Sequence, residues 1–306
     1  MPQTPSPLRY PGGKTSIWKM VSTIIKDNEL ERGHYCEPYA GGCGLALSLL
    51  FKGYVHELHL NDLDRSIWAF WNAVLHETDA LIEKILSTEV TVEEWYRQRE
   101  IQLNKDSFSD FDLAFSSFFL NRTNRSGIIL KAGMIGGFKQ NGNYKIDCRY
   151  NKKTLIDKIK RIEKYKHRIH LYNLDALEFL DFTRSILPRN SIYCIDPPYF
   201  EKGQTLYTNA YNKKDHKEIS KKILNLNRPW ILTYDNAEEI RMLYKKSPQY
   251  TFDLNYSAAE KRVGTELLII SKGLKISGEL NIQKINTISS IDLKSAPTLS
   301  PCCDLI

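Results

Sequence analysis

Ile192-Tyr193-Cys194-Ile195-Asp196-Pro197-Pro198-Tyr199 is the stretch on which the reading turns. Its first four residues form a short apolar run of the kind that makes a buried strand. An acid and two prolines follow at once, and they make a stiff polar rim at the strand's carboxyl end. In open α/β sheets that edge is where ligands bind. Each proline fixes its φ and donates no backbone N–H, so its carbonyl can be held toward a ligand. Tyr199 adds a flat face suited to stacking. Two acceptors and a ring suit a planar amino group. The same four residues also fit a plain polar turn, so the surrounding chain has to decide.

Outward from this point, strand and helix alternate. Tyr35 to Pro38 ends a short strand, and Leu45 to Phe51 reads as a helix. Val55 to Leu60 is a strand followed by helix Ser66 to His76. Ile169 to Tyr172, Trp230 to Thr233 and Leu267 to Ser271 are further strands, and Ala237 to Tyr244 is a helix. Such alternation predicts a mostly parallel α/β sheet covered on both faces. Residues 81–164 break the rhythm with polar helices and a Gly- and Asn-rich stretch from Gly127 to Gly142. They read as a mainly helical insertion, which leaves 1–80 and 165–275 as one discontinuous domain and 276–306 as a tail.

The 306 residues carry a net charge of +7. Positions 121–170 hold fourteen Lys and Arg against three Asp and Glu, so the rest of the chain is mildly acidic. A basic block on an acidic body is the footprint of phosphate contact, although a solvated basic helix gives the same count. No apolar run is long enough for a membrane span, and Met1 to Pro7 has no signal-peptide pattern. The six cysteines form no CxxC pair or zinc spacing, so a cytoplasmic protein with reduced thiols is expected.

Gly41-Gly42-Cys43-Gly44 lies between a strand and a helix, where glycine lets backbone approach a ligand. Asp62 ends the next strand, where an acid accepts hydrogen bonds from ribose hydroxyls. Leu47 stands at the third glycine position of the dinucleotide fingerprint, which argues for a nucleoside site and against an NAD enzyme. Gly12-Gly13-Lys14-Thr15 is not a phosphate loop, because Leu8 occupies the position of its first glycine. Lys14 beside that turn can still bind a small carboxylate. Glu37, Asp62, Asp175 and Asp196 end four strands, and no histidine cluster accompanies them, so no metal is expected.

Taken in order, these segments resemble the Dam-type, alpha-class DNA adenine N6-methyltransferases. Leu8-Arg9-Tyr10-Pro11-Gly12-Gly13-Lys14 is similar to their N-terminal cofactor motif. Glu37-Pro38-Tyr39-Ala40-Gly41-Gly42-Cys43-Gly44 is similar to their glycine-rich motif. Asn61-Asp62-Leu63-Asp64 is similar to their second acidic motif, and Asp196-Pro197-Pro198-Tyr199 to their catalytic motif. Tyr207 to Tyr211 and Gly264 to Leu268 resemble later segments. The resemblance runs from about Leu8 to Ser271. It implies a Rossmann-like S-adenosylmethionine-dependent methyltransferase sheet with 81–164 as target-recognition domain. It further implies cofactor contacts at Tyr10, Lys14, Glu37, Pro38, Gly41, Gly42, Gly44, Asp62, Asp175 and Asp196. On this reading Lys14 pairs with the methionine carboxylate.

The implied reaction is methyl transfer to adenine N6 in double-stranded DNA. Asp196 and the Pro197 carbonyl accept the amine's protons, while Tyr199 stacks on a base flipped from the duplex. Asn121 to Gly127 resembles the family's recognition motif, and Arg and Asn are the residue types that read purine edges. A basic helix end with a glycine cap is the competing reading. Arg122, Asn124, Arg125, Lys139, Arg149 and Tyr150 are the expected DNA contacts. GATC-methylating members carry an aromatic at Arg125 and an arginine at Leu130, so GATC is not implied as the target. Tyr10 stands where a tryptophan is common. A cytosine-N4 methyltransferase, an inactive DNA-binding regulator, and a partner restriction or defence nuclease remain compatible with the sequence.

Overall fold

The computed structural model describes residues 4–10, 12–200, 211–256, 262–277, 280 and 282–285. The segment Tyr207 to Ala210 and most of the tail lie outside the described residues. At the centre is an eight-stranded sheet of order β3-β2-β1-β4-β5-β7-β6-β8. The strands are β1 (Gly33–Glu37), β2 (Val55–Asn61), β3 (Ile169–Tyr172), β4 (Ser191–Ile195), β5 (Trp230–Asp235), β6 (Gln249–Tyr256), β7 (Arg262–Ile270) and β8 (Gln283–Lys284). The first five run parallel, and β7 runs antiparallel to both β5 and β6. Their order reverses between β1 and β4, which is the switch point where the carboxyl ends of an open sheet form a crevice. The sheet is the expected Rossmann-like α/β arrangement.

Helices cover both faces. One face carries α1 (Trp18–Asp27), α2 (Gly44–Phe51) and α3 (Arg65–His76). The other carries α8 (Ala176–Ile186), α9 (Lys213–Leu224) and α10 (Glu238–Leu243). Between β2 and β3 the chain continues from α3 into α4 (Thr78–Ser87), α5 (Val92–Leu103), α6 (Asp110–Thr123) and α7 (Lys152–Glu163). Nearly every residue of α6 from Leu113 to Asn121 is buried. A helix apolar on all sides belongs in the middle of a bundle, and α6 packs against both α3 and α5. Trp95, Phe115, Phe118 and Ile159 share one apolar cluster with Leu47, Leu58 and Ile231. The helical insertion is thus continuous with the core beneath the sheet. Among the described residues, no helix is long and apolar enough to cross a membrane.

Two buried asparagines fasten the parts. Asn61, with no exposed surface, donates to the carbonyls of Pro38 and Leu174 at 3.0 Å each and accepts from Leu174 N–H at 2.9 Å. It thereby joins the loops that leave β1, β2 and β3. Asn121, on α6, accepts from Arg9 N–H and donates to the Arg9 carbonyl, both at 2.7 Å, and donates to the Gly127 carbonyl at 2.8 Å. It ties the N-terminal segment to the insertion. Buried amides left without partners cost about 1–3 kcal/mol each. Asn121→Ala is therefore expected to lower unfolding stability by about 2 kcal/mol or more, measured as a shift of the urea midpoint at unchanged slope.

Candidate active site

Asp196 leaves β4 at the switch point with both carboxylate oxygens engaged. Thr233 on β5 donates its hydroxyl to Oδ1 at 2.7 Å, and Lys14 donates Nζ to Oδ2 at 2.8 Å. The Asp196 side chain keeps a fifth of its surface exposed, so it sits at a rim rather than inside the core. Pro197 is buried and Pro198 is part-exposed. The end of the turn is fixed as well, because Phe200 N–H donates to Asp235 Oδ1 at 2.9 Å. The rim read from the sequence is present, and its direction is set by β5.

Tyr199 differs from expectation. Its ring is 5 % exposed, and its hydroxyl receives Lys14 Nζ at 2.8 Å and donates to Glu266 Oε1 at 2.5 Å. In this arrangement it is a buried polar link and offers no open face for stacking. Lys14 differs too. It lies in a 3-10 turn, Lys14–Ile17, and is 6 % exposed. Its ammonium donates to the Gly12 carbonyl at 3.0 Å, to Asp196 and to Tyr199, and Glu266 Oε2 lies 3.6 Å away. The ammonium that was expected to meet a ligand carboxylate is held here by the protein's own carboxylates.

The glycine turn is built for close approach. Gly41 has φ +46°, and a Cβ there would lie 2.6 Å from Tyr10 Cε1; at Gly42 it would lie 2.7 Å from Tyr10 Cβ. Tyr10 therefore lies across both glycines, and only hydrogen fits beneath it. Trp71 fixes the turn by donating Nε1–H to the Gly41 carbonyl at 2.8 Å. Gly44 opens α2 against Thr15, so the N-terminal motif and the glycine motif pack as one surface.

Asp62 accepts from Gly41 N–H at 2.8 Å and from Asp64 N–H at 2.9 Å. Burial and the nearby Asp64 raise its carboxyl to about 7, against the pull of those two N–H groups. Glu37, at the end of β1 beside Pro38, is buried. Burial pushes it up to about 8, although Tyr35 donates to Oε1 at 3.1 Å. Among the described residues its Oε2 is buried with no hydrogen-bond partner. Asp175 caps α8, accepting from Leu177 N–H at 2.8 Å. It starts that helix at the carboxyl end of β3. Among the described residues, no group of three or more His, Cys, Asp or Glu is placed to hold a metal.

The expected DNA contacts divide. Arg125, Lys139 and Arg149 are exposed. Arg122 is half-buried, with Nε donating to the Arg149 carbonyl at 2.8 Å; burial, then Arg9 and Arg149, lowers it to about 10. Asn124 and Tyr150 are corrections. Asn124 has no exposed surface, accepts from Trp95 Nε1 at 2.6 Å and donates to the carbonyls of Ile128 and Ile129. Tyr150 is buried against Phe118 and Phe119. Neither side chain can reach a base edge from these positions. Asn124 satisfies the irregular segment after α6, where Ser126 and Gly127 take positive φ, and Tyr150 packs on α6 itself.

Thr233, Asp235 and Glu266 were not singled out from the sequence. Thr233 and Asp235 sit on β5, beside the catalytic strand, and Glu266 sits on β7, one strand further out; its one sequence signal is that it falls within Gly264 to Leu268. Two surface grooves also occur among the described residues, one between α8 and α9 and one lined by Arg228, Trp230 and Lys272. Neither includes a residue of the Asp196 rim.

Known proteins resemble this chain along most of its length. The type II methyltransferase M.MjaIII of Methanocaldococcus jannaschii is 23 % identical over 227 residues, covering 69 % of this chain and 74 % of that protein. A candidate RNA methyltransferase from Pyrococcus horikoshii superposes with a TM-score of 0.41 at 10 % identity, over 91 % of this chain and 88 % of that one. A candidate class I S-adenosylmethionine-dependent methyltransferase from Listeria monocytogenes gives 0.38 at 9 % identity, over 91 % and 65 %. The model of the D12 class N6 adenine-specific DNA methyltransferases matches residues 10–260, a span that holds the glycine turn, Asp62 and the Asp196 rim together, and the chain belongs to that family.

Proposed function

We propose that this DNA adenine N6-methyltransferase uses S-adenosylmethionine and acts on an adenine turned out of duplex DNA, with Asp196 as the acceptor of the base's amine. The observation that carries this is the placement of Asp196. Its carboxylate is fixed from two sides at the switch point, next to the glycine turn and Asp62.

The residues fit the cofactor. Among the described residues Glu37 Oε2 is a buried acceptor with no donor, and the cofactor's α-ammonium group would complement it. Gly41 and Gly42 expose backbone beneath Tyr10, and Asp62 retains lone pairs for ribose hydroxyls. When bound, the cofactor supplies a methyl group on a positively charged sulfur.

Adenine N6 is a poor nucleophile because its lone pair is delocalised into the ring. Asp196 and the Pro197 carbonyl accept its two N–H groups, which favours a pyramidal nitrogen with the lone pair localised. Asp196 is also the acceptor placed to take the proton that N6 must lose after transfer. Fixed dipoles and charge carry such a step. A base stacked inside a duplex cannot reach a half-buried carboxylate, so the nucleotide must be everted. Unstacking costs a few kcal/mol, and phosphate contacts offset it. Arg125, Lys139 and Arg149 are the exposed cations suited to that work, and residues 81–164 form the recognition surface.

Asp196→Ala is expected to abolish transfer of tritiated methyl groups to DNA while leaving low-salt DNA binding within about threefold; retained transfer would remove Asp196 from the mechanism. A second expectation follows from Glu37 and Asp62, whose carboxyls titrate near 8 and 7. An ammonium beside one and hydroxyls on the other favour the ionised forms, so cofactor binding lowers both values and releases protons. At pH 7 the calorimetric enthalpy of cofactor binding should therefore differ between phosphate and Tris buffers.

A further inference from the structure

We infer that Glu266 is a positioning residue for methyl transfer: it is the second counter-ion of Lys14, and it lets Lys14 leave Asp196 when the substrate amine arrives. This rests on the reading of Asp196 as the amine's acceptor.

Lys14 occupies the oxygen that the base needs. Its Nζ lies 2.8 Å from Asp196 Oδ2, while Thr233 holds Oδ1 at 2.7 Å. An incoming amine must share or replace the Lys14 contact. With a single counter-ion, moving Lys14 away would strand a buried ammonium, which is strongly unfavourable. Glu266 removes that obstacle. Its carboxylate is 1 % exposed, and Oε2 stands 3.6 Å from Nζ. A shift of Lys14 by roughly 1 Å, less than one rotamer step, would exchange its carboxylate on β4's end for the one on β7. Tyr199 bridges the two positions, accepting from Lys14 and donating to Glu266, so the ammonium keeps a partner throughout.

The strand ladder supports this placement. Glu266 on β7 stands directly opposite Asp235 on β5, and Asp235 holds Phe200 N–H. The two acids grip consecutive residues of the catalytic turn, Tyr199 by its hydroxyl and Phe200 by its backbone. Glu266 reaches the catalytic turn through Lys14 and Tyr199.

The test compares full-length wild type, Glu266→Gln and Glu266→Asp under single turnover with saturating S-adenosylmethionine and DNA. Cofactor Kd, DNA Kd and melting temperature are measured alongside. Gln still accepts the Tyr199 hydroxyl but carries no charge. It is expected to slow transfer about tenfold or more, with both Kd values within about twofold of wild type. Asp keeps the charge and is expected to recover most of the rate. Wild-type transfer by Glu266→Gln would overturn the inference. So would equal losses in both variants that track a lowered melting temperature, the pattern of a merely structural residue. If the Gln variant does not fold, a folded but inactive Glu266→Asp overturns the inference by itself. A wild type that transfers no methyl group to DNA would overturn this and the reading of Asp196 together.

Discussion

The ion pair between Lys14 and Asp196 joins residues 182 positions apart, and it fastens the N-terminal motif to the end of β4. Lys14 belongs to the N-terminal motif, Asp196 to the end of β4. Around that pair the N-terminal segment is fixed by unlike contacts: Asn121 grips the Arg9 backbone, Tyr10 lies across Gly41 and Gly42, and Thr15 meets Gly44. The first contact recruits the insertion, and the other two recruit the βα turn between β1 and α2. Burying charges is costly unless they are paired and hydrogen-bonded. Lys14 meets that condition with two carboxylates, a hydroxyl and a carbonyl. The ordering of the N-terminal motif and the pointing of the catalytic acid are therefore one event.

The charge distribution has a matching logic. Acids concentrate at the strand ends, where Glu37 and Asp62 are pushed upward mainly by burial. Cations concentrate in the insertion, exposed at Arg125, Lys139 and Arg149. A pocket rich in partly protonated carboxyls suits a cationic donor, and a basic border suits a polyanion beside it. The two fields lie on one molecule because α6 passes from the core beneath the sheet directly into the basic segment.

Strands β1 to β5 were legible because each is a short apolar run ending in a polar or acidic residue, the pattern a parallel sheet imposes. β6 was not, since Gln249-Tyr250-Thr251-Phe252-Asp253 mixes polarity as an outer strand does. Residue type located Asp196, Asp62 and the glycine turn, because their chemistry and position coincide. It failed for Asn124 and Tyr150: an asparagine after a helix can meet a base or cap stray carbonyls, and only packing decides. Here the carbonyls of Ile128 and Ile129 claim Asn124. It failed also for Tyr199, whose ring was legible as a platform but whose hydroxyl is claimed by Lys14 and Glu266. Thr233 and Glu266 were hidden for a different reason. Their role is created by the β4-β5-β7 order, which places three distant segments side by side.

The central claim is that the carboxylate at the end of β4 receives the exocyclic amine of adenine. Mass spectrometry of nucleosides, digested from unmethylated duplex DNA after incubation with the protein and deuterium-labelled S-adenosylmethionine, tests it most directly. Labelled N6-methyladenine is the expected product. Label on cytosine N4 without N6-methyladenine, or no labelled nucleoside at all, would contradict it.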